Sequence, residues 1–384
     1  MTRSRVARRF GRKVDLGMAA AGLTEEKRNA NMDLLRLLSM MMVTMLHALG
    51  KSDLLSMMSS DLPIGGWITW ILEALSISAV NVFMLLSGYY LIHSKFKLVR
   101  LFELIFQVFF YVLVSLFVFV IAGKISLKSL TIYDALQVIF PVHMEVYWFI
   151  TAYVVIYMLL PILSGGVKAL TEKQFRITLI CLLVYECAFK SVLPVRLTTD
   201  TKGYTFFWYV IVFMLGAYFR LYGFKFLTNS LRGVILYGLA TIGCLAELFV
   251  LALIYLHTGR LKDMLRVSMD YNHVFTLLAA VGLFVSFLHA KPMAEKAGKL
   301  VIKLAPYALG VYLLQESLPL RYEWQNWFGL NGALEKSLAE LLLRLFGAVV
   351  TMFVLGILAD IVRSLLFSLI LKLCCKKEKD ACTK

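Results

Sequence analysis

The chain has 384 residues, of which 60% are hydrophobic and 17% charged, and its mean hydropathy is +0.78. Soluble globular chains carry about a quarter charged residues, so this balance excludes one and defines a polytopic membrane protein. The formal charge of +16 does not argue for nucleic acid, because Lys and Arg sit in short tracts between apolar runs rather than along one face.

The first 28 residues, beginning MTRSRVARRFGRKVDLG, are basic and lack an apolar core long enough for a removable signal peptide, so a disordered cytoplasmic tail is expected. Apolar stretches of the roughly 20 residues needed to cross a bilayer then recur about ten times. They centre on residues 33–50, 67–92, 99–122, 147–164, 176–193, 205–222, 232–256, 272–289, 301–318 and 341–371. The last is long, and Gly347 and Gly356 offer places for a break. An all-α bundle of about ten transmembrane helices is therefore expected over residues 29–371, with a cytoplasmic tail at 372–384. No internal repeat is visible. The six cysteines lack metal-ligand spacing, and Cys181, Cys187 and Cys244 lie within apolar runs as small hydrophobes, so neither a metal site nor a disulfide framework is expected.

Positive charge is retained on the cytoplasmic side of a membrane. Of the 40 Lys and Arg, 26 fall in the two tails and the connections near 95–100, 168–176, 220–232 and 291–303. The alternate connections hold 11, and Arg36, Arg344 and Arg363 lie in or at the edge of spans. Both termini should be cytoplasmic.

The first span, NANMDLLRLLSMMMVTMLH, carries ionisable groups into the membrane. Steps of three and four place Asp33, Arg36, Met40, Thr44 and His47 on one stripe. Arg36 and His47 are eleven residues apart, roughly 16 Å along the axis. A charge in a span is costly unless it faces a cavity or a partner, which makes the stripe a candidate site. The plainer reading is an Asp33–Arg36 pair near the headgroups and a His47 bonded to a backbone carbonyl. Further along, SAVNVFMLLSGYYLI offers Asn81, Ser87 and a Gly88 that admits another backbone, as a packing seam or a binding wall. EVYWFITAYVVIYMLLP offers Trp148 and Tyr153: Trp148 alone would be an interfacial anchor, but a tyrosine deep in a span is harder to dismiss. APYALGVYLLQESLPLR brings Tyr312, Gln315 and Glu316 to about the level of His47, where a buried Glu beside a His is an acid–base pairing and a surface Glu is only solvated.

Together, Asp33, Arg36 followed by ten residues and then His47, with NVFMLLSGYYLI, YWFITAYVVIYMLLP, FFWYVIVFMLGAYF and ALGVYLLQE in that order, resemble the membrane-bound acyltransferase-3 family of bacteria. The resemblance covers residues 28 to 370. It implies a multi-pass protein of the bacterial cytoplasmic membrane that moves an acyl group, commonly acetyl from acetyl-CoA, onto hydroxyls of surface glycans. His47 would be the catalytic base and Arg36, with Asp33, its companion. Asn81, Ser87, Trp148, Tyr153, Tyr312, Gln315 and Glu316 would face substrate. Two positions depart from the family pattern: Gln315 stands where many relatives have His, and Glu103 where they often have a second Arg.

The chemistry agrees with the residues. Acyl transfer needs a base for the hydroxyl and a cationic or hydrogen-bonding group for the oxyanion. A CoA ester arrives from the cytoplasm bearing phosphates, which Lys97, Arg100 and Arg36 could attract, so the donor is a substrate and no bound cofactor is implied. An acceptor outside and a donor inside require a cavity through the bundle. The expected partners are membrane lipid, the acyl-CoA donor and a glycan acceptor, with room for a homo-oligomer and none for nucleic acid. The competing reading is a transporter or flippase for a glycan or lipid-linked precursor, with Asp33, Arg36 and His47 as a polar relay.

Overall fold

The computed structural model describes residues 28–55, 62–193 and 200–381; the basic tail expected at the amino end lies almost wholly outside them. Every expected span is helical. The first is α1, Ala30–Gly50, started by the Asn29 side chain, which accepts from the Asn31 amide at 3.0 Å. The second is two helices, α2 (Ile64–Ser76) and α3 (Ala79–Leu91), joined at Ile77–Ser78. Then come α4 (Leu98–Ile121), a short α5 (Ile132–Ile139), α6 (Trp148–Ala169) and α7 (Glu172–Leu183). They are followed by α8 (Phe206–Leu221), α9 (Ser230–Thr258) and α10 (Val274–Leu288). The ninth span is α11 (Glu295–Leu304) and α12 (Ala308–Gln315), hinged at a tight turn that contains Pro306. The described residues end on α13, Leu338–Ala381.

The all-α bundle is as expected, and the spans differ from one another in length and continuity. Eight helical spans among the described residues are long and apolar enough to cross a bilayer. The stretch 205–222 is a helix of 16 residues, and 176–193 is interrupted by a π-turn at Val184–Ala188. The last span does not break at Gly347 or Gly356, because α13 runs through both. Gly356 instead receives the backbone of Val311 from α12. Its missing side chain serves packing rather than bending.

Glycine sets the other close crossings as well. A side chain at Gly88 would strike the Phe213 carbonyl, and one at Gly216 the Leu85 carbonyl, so α3 and α8 meet backbone to backbone. Gly233 and Gly282 do the same for α9 and α10. Without a hydrophobic driving force between spans, such close approach is how van der Waals packing holds a bundle together. The outward faces stay apolar: Phe106, Phe117 and Ile121 of α4, Ile242 of α9 and Leu343 of α13 are exposed, as lipid contact requires. A polar latch fastens α4 to α13. Asp360, fully buried, accepts from Gln107 at 2.9 Å, Tyr111 at 3.1 Å and Arg363 at 2.6 Å. Four elements, α1, α3, α6 and α12, are left facing a common interior space.

Candidate active site

The stripe on α1 is tied down at both ends. At its start the Asp33 carboxylate, buried, accepts from Arg28 Nε and Arg36 Nη1, each at 2.5 Å. Arg36 is thus pulled back toward the amino end of its own helix. At the far end His47 Nδ1 lies 3.4 Å from Glu316 Oε1, and Lys51 Nζ donates to the same oxygen. Arg321 Nε is 4.0 Å from Glu316 Oε2 and donates to the Glu316 carbonyl, while its Nη2 donates to the Val146 carbonyl at 2.5 Å. Burial alone would push the Glu316 carboxyl up, but His47, Lys51 and Arg321 outweigh it and hold it below the usual carboxylate range. Between the ends, Thr44 Oγ1 donates to the Met40 carbonyl at 2.9 Å and accepts from Gln315 Nε2 at 3.3 Å. Gln325 Nε2 donates to the His47 carbonyl at 3.3 Å.

A cavity of about 1230 Å³, its open mouth included, runs the length of this stripe from Arg36 to His47. Its walls are largely apolar: Met40, Val43 and Leu46 from α1, Val80, Phe83 and Leu86 from α3, Ile150 from α6 and Leu309 from α12. Polar and aromatic groups gather at its two ends. Ser87, Tyr90, Ser94 and Tyr153 accompany Arg36 and the hinge at Pro306, while Trp148, Tyr271 and Tyr312 accompany His47. The His47 and Tyr312 rings are 6.1 Å apart, and Trp148 packs on Tyr271 at 5.6 Å and Tyr204 at 4.5 Å.

Of the residues predicted from sequence, Arg36, His47, Ser87, Trp148, Tyr153 and Tyr312 line this cavity. Asp33 and Glu316 stand behind the lining and grip Arg36 and His47 on it, while Gln315 donates to Thr44, which is itself off the lining. Asn81 does not reach the cavity: its amide donates to the Tyr271 carbonyl at 2.8 Å and accepts from Trp208 Nε1 at 3.0 Å, so it fastens the wall from behind. Lys97 and Arg100 begin α4, off the lining. The Lys97 backbone meets the Tyr157 hydroxyl, and Arg100 Nη1 is buried with no acceptor among the described residues. Sequence reasoning missed Lys51, Arg321, Tyr90 and Tyr271. Lys51 carried a signal, since it lies four residues beyond His47 on the same stripe; Arg321 and Tyr271 come from connections and carried none.

A helical bundle of membrane-spanning length, with a cavity that joins a half-buried arginine to a histidine–glutamate pair, defines a polytopic membrane protein. The family model described as an acyltransferase domain, acyltransferase family 3, matches residues 29–360, and the chain belongs to that family. No curated protein and no solved structure matched the chain.

Proposed function

We propose that this membrane acyltransferase moves acetyl from acetyl-CoA to a hydroxyl of an extracytoplasmic or lipid-linked glycan, with His47 as general base and both termini cytoplasmic. The observation that carries the reading is the pairing of His47 with Glu316 at one end of a cavity whose other end holds Arg36. A carboxylate 3.4 Å from Nδ1 favours the proton on that nitrogen and Nε2 as the base, and it stabilises the imidazolium formed when the acceptor hydroxyl gives up its proton. The apolar walls suit the uncharged arm and acyl group of the donor. Arg36, held by Asp33, and Lys97 and Arg100 at the start of α4 suit its phosphates. Hydroxyl-rich acceptors suit the end lined by Trp148, Tyr271 and Tyr312.

Purified protein in lipid nanodiscs should turn over labelled acetyl-CoA in the presence of a glycan acceptor. His47→Ala, at matched expression, should lower the rate by about 10²–10⁴-fold, the usual worth of a general base. Near-normal acetylation by His47→Ala would remove His47 as the base, and glycan transport without thioester turnover would move the assignment to a transporter. Maleimide labelling of cysteines introduced in the tails and the 257–271 connection checks the orientation; labelling of the tails from outside intact cells overturns it.

A further inference from the structure

General-base attack on a thioester carbonyl moves negative charge onto the carbonyl oxygen, and that charge needs a donor within hydrogen-bond reach of the same carbon that His47 serves. Arg36 is not that donor. It starts roughly 16 Å from His47 along α1, and its guanidinium is drawn the other way by Asp33.

The start of α6 has the missing property. Its cap, Tyr147, makes no side-chain cap hydrogen bond. The amides of Trp148 and Ile150 have no backbone or side-chain acceptor among the described residues, the ladder beginning at Thr151 with the Tyr147 carbonyl, and the Phe149 amide has only the Tyr312 hydroxyl beside it. All three residues line the cavity at the His47 end. A 22-residue helix carries a partial positive charge at this end, where its free amides point outward. An independent group converges on the same place. Tyr312 is 5% exposed, lines the cavity beside His47, and its hydroxyl proton is buried with no acceptor among the described residues. The Phe149 amide faces that hydroxyl. The arrangement is braced: the Tyr147 hydroxyl donates to the Leu313 carbonyl at 3.0 Å, its ring packs on Tyr312 at 5.8 Å, and Arg321 bridges the carbonyls of Val146 and Glu316. Glu145, at φ 51°, turns the chain sharply into this start. A buried hydroxyl proton left without an acceptor costs about 1–3 kcal/mol, which a bound oxygen would relieve.

We propose that the Tyr312 hydroxyl and the uncapped start of α6, chiefly the Phe149 amide, form the oxyanion site of the transfer reaction. The proposal rests on the acyl-transfer reading above. His47 takes the proton of the acceptor hydroxyl as its oxygen bonds to the thioester carbon. The carbonyl π electrons move onto oxygen, where Tyr312 and the amide donate to it. The tetrahedral intermediate then collapses, the carbon–sulfur bond breaks, and His47 returns the proton to the departing thiolate, giving ester and free thiol.

Tyr312→Phe removes one oxygen and keeps the ring that packs on His47 and Tyr147. In nanodiscs its kcat should fall about 10²–10³-fold, the usual worth of one oxyanion donor. The donor KM and the affinity for a thioether analogue of acetyl-CoA should stay within threefold of the parent, which a merely structural loss would not leave intact. A kcat within threefold of the parent overturns the proposal. His47→Ala, run alongside, separates the two ideas: if it is inactive while Tyr312→Phe is active, only the oxyanion site falls; if both transfer acetyl at the parent rate, His47 as the base falls with it; if the parent itself turns over no thioester, the acyl-transfer reading falls. Should Tyr312→Phe fail to accumulate, 3-fluorotyrosine at position 312, a stronger donor of nearly the same shape, decides. A single-turnover rate at least twofold faster supports the site, and an unchanged rate overturns it.

Discussion

Replacing Glu316 by Gln tests how much of His47's competence is electrostatic. The amide is close to isosteric, so the packing against His47 is kept while the negative charge is lost. At 3.4 Å and an effective dielectric near 20, a full charge facing an imidazolium is worth at most about 5 kcal/mol. The real figure is smaller, because Lys51 shares the same carboxylate oxygen and Arg321 lies 4.0 Å from the other. Retaining about half leaves roughly 3 kcal/mol, or about a hundredfold in rate at 1.36 kcal/mol per decade. Rapid-quench measurement of a single acetyl transfer, with donor saturating, reads this step without interference from product release. The expected result is a loss of about 10²-fold in the chemical rate with little change in donor affinity. A Glu316→Gln protein that transfers within threefold of the parent rate would refute the idea that Glu316 supports the base, and would leave the pair as a packing contact.

The same carboxyl sets an acid limit. Because its folded value is held below 4.5, its stabilising contribution is complete above that pH and drains as pH falls through the lowered value. Thermal unfolding between pH 6 and 3 should therefore steepen in the parent, and less so in Glu316→Gln. At the crossing of α3 and α8, Gly88→Ala puts a methyl against the Phe213 carbonyl and should cost at least the 1–3 kcal/mol typical of overpacking, read as lower melting and lower yield. At the other end of the stripe, Arg36→Lys should rescue poorly, since an ammonium cannot reproduce the guanidinium fork, whereas Asp33→Asn should be milder; donor saturation curves rank the two. Lys97→Gln with Arg100→Gln should raise the donor KM more than it lowers kcat, and an unchanged KM would reduce that loop to a topology signal.

What the sequence made legible was what local periodicity encodes. The stripe from Asp33 to His47 is visible because 3.6-residue spacing is intrinsic to the helix, and Gly88 was readable as a close-approach residue because a span tolerates glycine for few other reasons. Glu316 could be matched to His47 only through a level argument, counting residues from the same membrane face, and their 3.4 Å separation agrees with that count. Lys51 followed the same periodicity but lies just past the helix end, where a lysine reads as an ordinary membrane-edge charge. Asn81 was indistinguishable from a substrate ligand, because its true partners, Trp208 and the Tyr271 carbonyl, lie 127 and 190 residues away. The interruption at Ile77–Ser78 involves neither Gly nor Pro and left no mark. The uncapped start of α6 is likewise invisible locally: a missing cap matters only when another chain segment brings Tyr312 to it.

A passage between Arg36 and His47 also bears on the electrical tightness of the membrane. Protons cross proteins along chains of water and polar groups, each handing charge to the next. The middle of this cavity, walled by Met40, Val43, Leu46, Val80, Phe83 and Leu86, supplies no such chain. A slender, mostly apolar arm could thread it, while an ion would have to shed its hydration with nothing in exchange. The residues that look least chemical would then be the insulator, letting an acyl group cross without discharging the gradient the bilayer maintains.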